Sequence, residues 1–255
     1  MPHISFSELK SWNQCAYYHK LTYIDRLKGF EGNLYTAFGS ALHSVCEKIV
    51  LKDIQDKKSL FQLSFSNEIN NLPKTIQENI DTKMVSDMRR QGNMLVDLII
   101  PKLKESFETF EVVSVEEEIY EPIKNHDYKF KGFIDLVIKT EDGKYHIIDW
   151  KSCSWGWDMK RKSDPMNTYQ LTYYKHYFAK KHNIDPKKIE TYFALLKRTA
   201  KKDNVEVFRV TSGDRKTENA LNLLYKVLYN IKSKNYFKNR LSCKKCEFYK
   251  TEFCT

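Results

Sequence analysis

The sequence predicts an α/β fold in which a mixed β-sheet is flanked by helices, after an N-terminal helical part and before a cysteine-rich C-terminal tail. Helical periodicity dominates residues 1–109, strand-like alternation begins at Phe110, and a helix separates the first three strands from two further ones. No linker divides the chain. We therefore expect one domain over residues 1–255, with a helical part at about 1–109, a core at about 110–240 and a tail at 241–255.

Capping and spacing signals define the N-terminal helices. Ser5 and Glu8 match a capping box, which predicts a helix from this point to about Leu21. Apolar residues at helical spacing predict a second helix over residues 37–52. Residues 55–110 are also expected to be helical, and Pro101 should kink or split a long helix there.

The core alternates between strand and helix patterns. Asp142-Gly143 between two apolar runs predicts a β-hairpin. The predicted strands lie at about 113–119, 128–139, 145–150, 189–196 and 205–211, and the predicted helices at about 167–182 and 221–231.

The charge balance favours an anionic partner. There are 43 basic and 33 acidic residues, a net charge of +10, and such a surplus promotes binding to polyanions by attraction and counterion release. Charge alone leaves DNA, RNA, an anionic membrane and an ordinary solvated surface as alternatives.

No membrane or secretion signal is visible in the sequence. No apolar run approaches the ~20 residues that a membrane-spanning helix needs, and the N-terminus lacks the charged and apolar regions of a signal peptide. We expect a cytoplasmic protein that does not bind membranes. Thiols stay reduced there, so the six cysteines are expected to be ligands or buried side chains before disulfides.

The hairpin carries the residues with the clearest chemistry. Asp149 and Lys151 end its second strand and point to the same face, and Asp135 on the first strand lies opposite Asp149 if the register allows it. Two carboxylates and an ammonium suit Mg²⁺, which prefers carboxylate oxygens and tolerates a shared phosphate. The alternative is a surface hairpin with an ordinary aspartate–lysine pair.

Asp135 followed by Asp149-Trp150-Lys151 after a hairpin resembles the signature of PD-(D/E)XK nucleases. More narrowly, the chain is similar to the RecB-type branch, which includes nuclease domains of recombination helicases, CRISPR-associated nucleases and phage exonucleases. The resemblance runs from about Ser5 to Cys254, although Ile134 stands where some members have a proline. It implies a restriction-endonuclease-like fold and metal-dependent hydrolysis of DNA.

Two further motifs resemble those of the RecB-type branch. Gly39 and His43 match its Gly-x-x-x-His motif, and Gln170 and Tyr174 match its Gln-x-x-x-Tyr motif on the helix after the hairpin. The resemblance implies that Gln170 and Tyr174 shape the active site and contact DNA. A locally hydrogen-bonded histidine and an aromatic stripe packed on the sheet are the structural alternatives.

The resemblance also implies a role for each residue of the centre. His43, Asp135, Asp149 and the Trp150 carbonyl would hold Mg²⁺ or Mn²⁺, while Lys151 would position or activate the attacking water. Glu47, one helical turn after His43, could orient that histidine. The acidic run Glu116-Glu117-Glu118 could reach the metal but is more typical of a solvated face.

Four cysteines form a second candidate centre. One lies near the N-terminus and three lie in the tail: Cys15, Cys243, Cys246 and Cys254. Four thiolates can hold an iron–sulfur cluster or a structural zinc. The RecB-type resemblance implies a 4Fe–4S cluster that ties the two ends of the chain together, with zinc as the alternative. We expect Cys46 and Cys153 not to be ligands.

The expected function is that of a DNA exonuclease or end-processing enzyme in recombination, replication or repair, inside a bacterial or phage-infected cell. The substrate would be single-stranded DNA or DNA with free ends, and a helicase, recombinase or CRISPR-type protein would be the partner. The alternatives are a site-specific endonuclease, a non-catalytic DNA-binding subunit and a zinc-stapled RNA-binding protein.

Basic and aromatic residues near the hairpin suggest where DNA would lie. Two basic groups, Lys160-Arg161-Lys162 and Lys197-Arg198 with Lys201-Lys202, could face phosphates. Trp155 and Trp157 could stack on single-stranded bases, or they could simply pack a loop.

Overall fold

A computed structural model of the chain describes residues 2–52 and 54–255. They fall into two compact units. The larger unit comprises residues 32–118 and 133–212, and the smaller unit comprises 1–31, 119–132 and 213–255. The expectation of a single domain over the whole chain stays a prediction.

The main helices and strands occur in the predicted order, but the short strand His3–Ser5 and the short helix Met159–Ser163 were not predicted. The helices are α1 (Phe6–Gln14), α2 (Ala16–His19), α3 (Leu34–Leu51), α4 (Lys57–Asn70), α5 (Lys74–Gln77), α6 (Thr82–Phe107), α7 (Met159–Ser163), α8 (Pro165–His182) and α9 (Asp214–Lys232). The strands are β1 (His3–Ser5), β2 (Phe110–Pro122), β3 (Lys129–Thr140), β4 (Tyr145–Cys153), β5 (Ile189–Lys197) and β6 (Val205–Val210). A π-helical turn covers Lys20–Ile24, and 3₁₀ turns cover Pro186–Lys188 and Arg240–Lys245.

The strands form a mixed sheet in the order β1-β3-β4-β5-β6, and β2 also pairs with β3. The β3–β4 and β5–β6 pairs are antiparallel, whereas β1–β3 and β4–β5 are parallel. A parallel neighbour requires a crossover, and α8 lies in the crossover between β4 and β5. This arrangement confirms the predicted α/β class with a mixed sheet and flanking helices.

Helices α3, α4 and α6 cover one face of the sheet in the larger unit. Phe38, Phe61 and Phe65 pack against one another there, with ring centroids 5.6–5.7 Å apart. Ile148 and Trp150 of β4 belong to the same core. Because side chains alternate along a strand, Asp149 and Lys151 point to the opposite face. Packing of the even-numbered residues therefore fixes the direction of the charged pair.

The capping box at the first helix is only half formed. Ser5 Oγ accepts a hydrogen bond from the Glu8 amide at 3.2 Å, as predicted. The Glu8 carboxylate does not return to the cap but contacts His19 Nε2 at 2.8 Å. The helix stops at Gln14 because Cys15 adopts an extended conformation, so the predicted continuous helix to Leu21 is wrong.

Pro101 does not split the helix in which it lies. Helix α6 continues through it from Thr82 to Phe107. Leu95, Ile99 and Leu103 on either side of the proline are fully buried, so packing of this face offsets the missing backbone hydrogen bond.

The hairpin turn agrees with its sequence. Gly143 has a φ of +77°, a conformation that glycine adopts without a steric penalty.

In residues 2–52 and 54–255, no helix combines the length and apolar character needed to cross a membrane.

Candidate active site

The β3–β4 hairpin brings the two aspartates to matching positions. Its antiparallel register pairs Val137 with Ile147 and Leu136 with Ile148. The ladder ends at the Leu136–Ile148 pair, Asp135 and Asp149 are the next residues on the two strands, and the Asp149 charge acts on Asp135. The condition that the sequence left open, a register that aligns the two carboxylates, is therefore met.

Asp149 is a buried carboxylate with little compensation. The residue is 1% exposed. Lys151 Nζ lies 2.5 Å from its Oδ2 as an ion pair. Apart from that ammonium, neither carboxylate oxygen has a hydrogen-bond donor among the described residues. Buried polar atoms are normally satisfied, so these oxygens indicate a site for a further electropositive group.

Asp135 shares the same environment. Its Oδ2 accepts a hydrogen bond from the Trp150 backbone amide at 2.7 Å and lies 3.5 Å from His43 Nδ1. Burial, followed by the neighbouring Asp149 charge, raises the pKa of the Asp135 carboxyl well above its ordinary value. A cation bound nearby would favour the ionised form of Asp135.

Helix α3 delivers His43 to this pair. A side chain at Gly39, one turn before His43, would bring its Cβ within 3.0 Å of Ser152 Oγ on β4, so glycine permits the close approach of helix and strand. Burial and the Lys151 charge lower the pKa of His43 to about 4, although Asp149 and the Trp150 carbonyl oppose that shift. The imidazole is therefore neutral at pH 7, the form that binds a metal.

Glu47 lies beside a second carboxylate rather than orienting His43 alone. Burial and the adjacent Glu116, which also forms a hydrogen bond with it, raise the pKa of Glu47 to about 7. Glu116 has a left-handed φ of 48° and adds its negative charge to the surroundings of Asp135. This carboxyl pair extends the negative field of the centre.

Lys151 is held as an ammonium. Burial disfavours its charge, but Asp149 and Asp135 outweigh burial and raise the pKa of Lys151 above its ordinary value. Its side chain is 30% exposed, so the ammonium is accessible from outside. A protonated lysine donates hydrogen bonds to water or phosphate and does not act as a base.

Gln170 and Tyr174 stand beside the same carboxylates on α8. Gln170 Nε2 donates to Tyr174 Oη at 3.1 Å. Burial, and then the negative charge of Asp149, raises the pKa of Tyr174 above its ordinary value. Tyr173 and Tyr177 are buried, as expected for the packed part of the aromatic stripe.

The donor set fits a divalent cation. With both carboxylates ionised, Asp135, Asp149 and Lys151 would together carry a net charge of −1, and the Glu116 charge also acts on Asp135. Carboxylate oxygens, a neutral imidazole and a backbone carbonyl are ligands that Mg²⁺ and Mn²⁺ accept. Among the described residues, however, no three or more histidine, cysteine or acidic side chains already stand in metal-coordinating positions.

The predicted cysteine centre lies in the smaller unit. All six cysteines are free thiols. The Asn239 amide donates to Cys15 Sγ at 3.3 Å, and Cys243 Sγ lies 3.9 Å from the Asn239 carbonyl oxygen. Burial raises the pKa of Cys246, and the neighbouring Cys254 and Cys15 add to that rise. The thiols lie near one another without forming a coordination sphere.

The basic groups and tryptophans divide into packed and exposed members. Lys162 and Lys197 both contact the Glu206 carboxylate, so these two charges are paired. Trp157 packs against Phe193 with ring centroids 5.1 Å apart. Trp155, by contrast, is 77% exposed. Packing is therefore the correct interpretation of Trp157 but not of Trp155.

Two features of the centre had no clear sequence signal. Glu116, which has a positive φ within β2, forms a hydrogen bond with Glu47. Arg198 bonds Gln91 at 3.1 Å and Ser154 at 3.0 Å, residues far apart in sequence. An acidic run and a lone arginine have many other interpretations, and only tertiary proximity identifies these pairings.

Comparisons with known proteins bear on the fold and the family. A family model for the PD-(D/E)XK nuclease superfamily matches residues 3–251. The crystal structure of a provisionally named exonuclease from Eubacterium rectale is 14% identical, with a TM-score of 0.60, and the match covers 93% of this chain and 84% of that chain. At that identity it supports the fold alone.

Two further results complete the comparisons. The crystal structure of SSO0001 is 16% identical over 95% of this chain and 93% of that chain, but its TM-score of 0.38 carries no argument. No curated protein sequence matches.

The family match spans nearly the whole chain, including both hairpin aspartates and Lys151. It confirms the restriction-endonuclease-like fold that the hairpin signature implied. Members are nucleases that typically use a divalent metal, so membership implies phosphodiester hydrolysis and a DNA substrate. The chain belongs to the PD-(D/E)XK nuclease superfamily.

Proposed function

We propose that this chain is a Mg²⁺- or Mn²⁺-dependent deoxyribonuclease that acts as an exonuclease or DNA-end-processing enzyme in recombination, replication or repair. The observation that carries the proposal is the Asp149 carboxylate, which is buried near a second buried carboxylate, Asp135, and has no donor except Lys151 in the part of the chain that the structure describes. The finer assignment follows the RecB-type resemblance and the name of one structural neighbour, a provisionally named exonuclease whose likeness to this chain is one of fold.

The proposed ligands are His43, Asp135, Asp149 and the Trp150 carbonyl. When bound, the metal would polarise the scissile phosphate and lower the pKa of a coordinated water. The depressed pKa of His43 keeps its imidazole neutral for this role. The Trp150 amide, which donates to Asp135 Oδ2, holds that carboxylate in place.

Lys151 is proposed as the catalytic cation. Its ammonium lies beside Asp149 and remains protonated, so it can donate to the attacking water or to a phosphate oxygen as negative charge develops. Gln170 is proposed to fix the Tyr174 hydroxyl, and the pair shapes the substrate side of the centre.

The decisive experiment compares wild type with Lys151→Ala on end-labelled linear single-stranded and double-stranded DNA and on circular single-stranded DNA, with Mg²⁺ or Mn²⁺. We expect wild type to degrade linear DNA progressively and to spare circles. Loss of the ammonium should lower the rate by roughly 100-fold or more, as for other groups that stabilise developing charge. Lys139→Ala, an exposed lysine on the same hairpin, is the matched control.

The outcomes separate the alternatives. Cleavage of circular DNA would favour an endonuclease. DNA binding by wild type without metal-dependent cleavage would favour a non-catalytic DNA-binding subunit. Equal rates for Lys151→Ala and wild type, with folding verified by circular dichroism, would contradict the proposed centre.

We further propose a 4Fe–4S cluster, with zinc as the alternative, held by Cys15, Cys243, Cys246 and Cys254. Three observations support it. The thiols are free, and Cys15 and Cys243 both contact Asn239. The neighbouring Cys254 and Cys15 also raise the pKa of Cys246. The RecB-type resemblance also suggests a helicase, recombinase or CRISPR-type protein as a partner.

A further inference from the structure

Helix α3 runs beside strand β4, and two successive contacts between them are four residues apart on the helix and two residues apart on the strand. His43 contacts the Trp150 carbonyl, and one turn earlier Gly39 adjoins Ser152. Four helical residues advance about 6 Å and two strand residues about 6.6 Å, so the two elements stay in step. Residues of α3 spaced by four therefore follow β4 away from the metal-binding centre.

Four residues before Gly39, the next position on this face of α3 is an exposed aromatic residue. Tyr35, two turns before His43 on the same face of α3, is 51% exposed. The Arg198 guanidinium lies 5.1 Å from the centre of its ring and also donates to Ser154 Oγ at 3.0 Å. Arg198 thus joins Tyr35 to the residue that follows β4, roughly 12 Å from the level of His43.

Trp155 is the residue immediately after Ser154, and its indole is 77% exposed. Its backbone is nevertheless fixed. The Thr199 amide and hydroxyl both donate to the Ser154 carbonyl, at 3.0 and 2.8 Å, and the Arg198 amide donates to the Cys153 carbonyl at 2.9 Å. The loop therefore holds an exposed indole on which an unpaired base could stack.

The charges around this loop suit an anionic strand. Lys160, Lys201 and Lys202 are exposed, and the last two lie in the turn that Thr199 fastens to Ser154. Aromatic platforms beside exposed cations are the usual elements of single-strand binding, because bases stack on rings while cations neutralise phosphates. A duplex keeps its bases stacked internally and gains little from such rings.

From this geometry we propose that Tyr35 and Trp155, bridged by Arg198, form a stacking site for unpaired bases of single-stranded DNA whose backbone reaches the metal-binding centre. The inference rests on the proposed nuclease function and deepens it by naming the substrate class. The centre acts on the strand, and the aromatic site selects strands with unstacked bases.

The test measures binding without cleavage. Fluorescence anisotropy of labelled oligo(dT) and of a labelled duplex is followed in EDTA for wild type and for Trp155→Ala, Trp155→Phe, Tyr35→Ala and the control Tyr229→Ala. Tyr229 is an equally conspicuous aromatic residue, 67% exposed on α9 of the smaller unit.

We expect Trp155→Ala to weaken oligo(dT) binding by roughly 5- to 150-fold, the range for loss of one stacked base. Trp155→Phe should recover most of the affinity, and Tyr229→Ala should bind like wild type. Duplex affinity and the salt dependence of binding should change little, because no charge is removed.

The inference is overturned if wild type does not bind oligo(dT), if Trp155→Ala binds it as wild type does, or if duplex binding falls as much as single-strand binding. Failure of the nuclease proposal is distinguishable, because it is read from cleavage by wild type and Lys151→Ala. Loss of oligo(dT) binding in Trp155→Ala would support the stacking site even in a protein that cleaves nothing.

Discussion

At the scale of single residues, the main feature of the centre is the repulsion between two buried carboxylates. Asp135 and Asp149 are 8% and 1% exposed, the charge of each carboxylate acts on the Lys151 ammonium, and that ammonium contacts Asp149. Burial of like charges is unfavourable unless something binds there. Residues selected for binding a cation are therefore expected to reduce the stability of the metal-free protein.

Replacing Asp135 with asparagine should stabilise the metal-free protein. The amide oxygen can still accept from the Trp150 amide, while the repulsion with Asp149 is removed. We expect a gain of roughly 0.5–2 kcal/mol in the free energy of unfolding at pH 8, measured by urea denaturation in EDTA. The control, Asp142→Asn, should instead lose stability, because hydrogen bonds from Thr140 and Lys144 lower the pKa of Asp142 to about 2.

The gain should depend on pH with a definite sign. The folded-state pKa of Asp135 is raised, so the cost of ionising it is absent below the unfolded value of about 4, grows as pH rises above that value and is complete above the folded pKa. The difference between Asp135→Asn and wild type should therefore vanish near pH 4. A stability difference that stays constant from acid to alkaline pH would contradict this account.

At the scale of elements, the α3–β4 contact sets the position of His43. Gly39 lies close to β4 in this contact, where an added Cβ would lie 3.0 Å from Ser152 Oγ. The Gly-x-x-x-His motif therefore has a structural reason in this chain. The glycine lets the helix approach the strand, and the histidine one turn later reaches Asp135.

Gly39→Ala should lower cleavage activity without unfolding the protein. Alanine favours the helix by about 1 kcal/mol over glycine, but its methyl group must displace Ser152 or α3. A displacement of His43 by a fraction of an ångström is expected to cost roughly tenfold in rate. The measurement is metal-dependent DNA cleavage together with thermal unfolding.

Removing the opposing hydroxymethyl group is the control for that prediction. Gly39→Ala combined with Ser152→Gly should recover most of the activity, because the space taken by the new methyl group is returned. Activity that stays low in the double variant would mean that Gly39 acts through something other than its contact with Ser152.

At the scale of the whole molecule, the distribution of cysteines and charge matters most. The four candidate ligands come from both ends of the chain, and all lie in the smaller unit. A cluster there would cross-link Cys15 to the tail and close a loop of more than 200 residues. Such a constraint stabilises mainly by restricting the unfolded chain.

Removal of the proposed cluster should lower the melting temperature. Anaerobically purified wild type is expected to show broad visible absorbance and about four irons per chain. Cys246→Ser should lose iron and melt roughly 10 °C lower. Cys153→Ser, a cysteine outside the proposed ligand set, is the control. Zinc without visible absorbance would support the alternative metal, and equal metal content in both variants would contradict the ligand set.

The net charge of +10 is consistent with a nucleic acid substrate but does not locate it. Lys162 and Lys197 form ion pairs with Glu206, whereas Lys201 and Lys202 are exposed. The total surplus therefore predicts the sign of the partner, and the pairing of individual cations decides which surface is available to it.

The sequence by itself determined the features that depend on neighbours along the chain. Alternation put Asp149 and Lys151 on one face, Asp142-Gly143 specified the hairpin, and helical spacing joined Gln170 to Tyr174. These follow from local geometry, whose periods can be read from the residues alone.

Only the tertiary structure decided what distant segments do together. In the structure the first helix ends before Cys15, and α6 continues through Pro101. Glu47 forms a hydrogen bond with Glu116. Arg198 contacts both Tyr35 and Ser154. Each of these results depends on packing or charge between residues far apart in sequence. Local propensity contributes about 1 kcal/mol or less at a typical position, so such contacts override it.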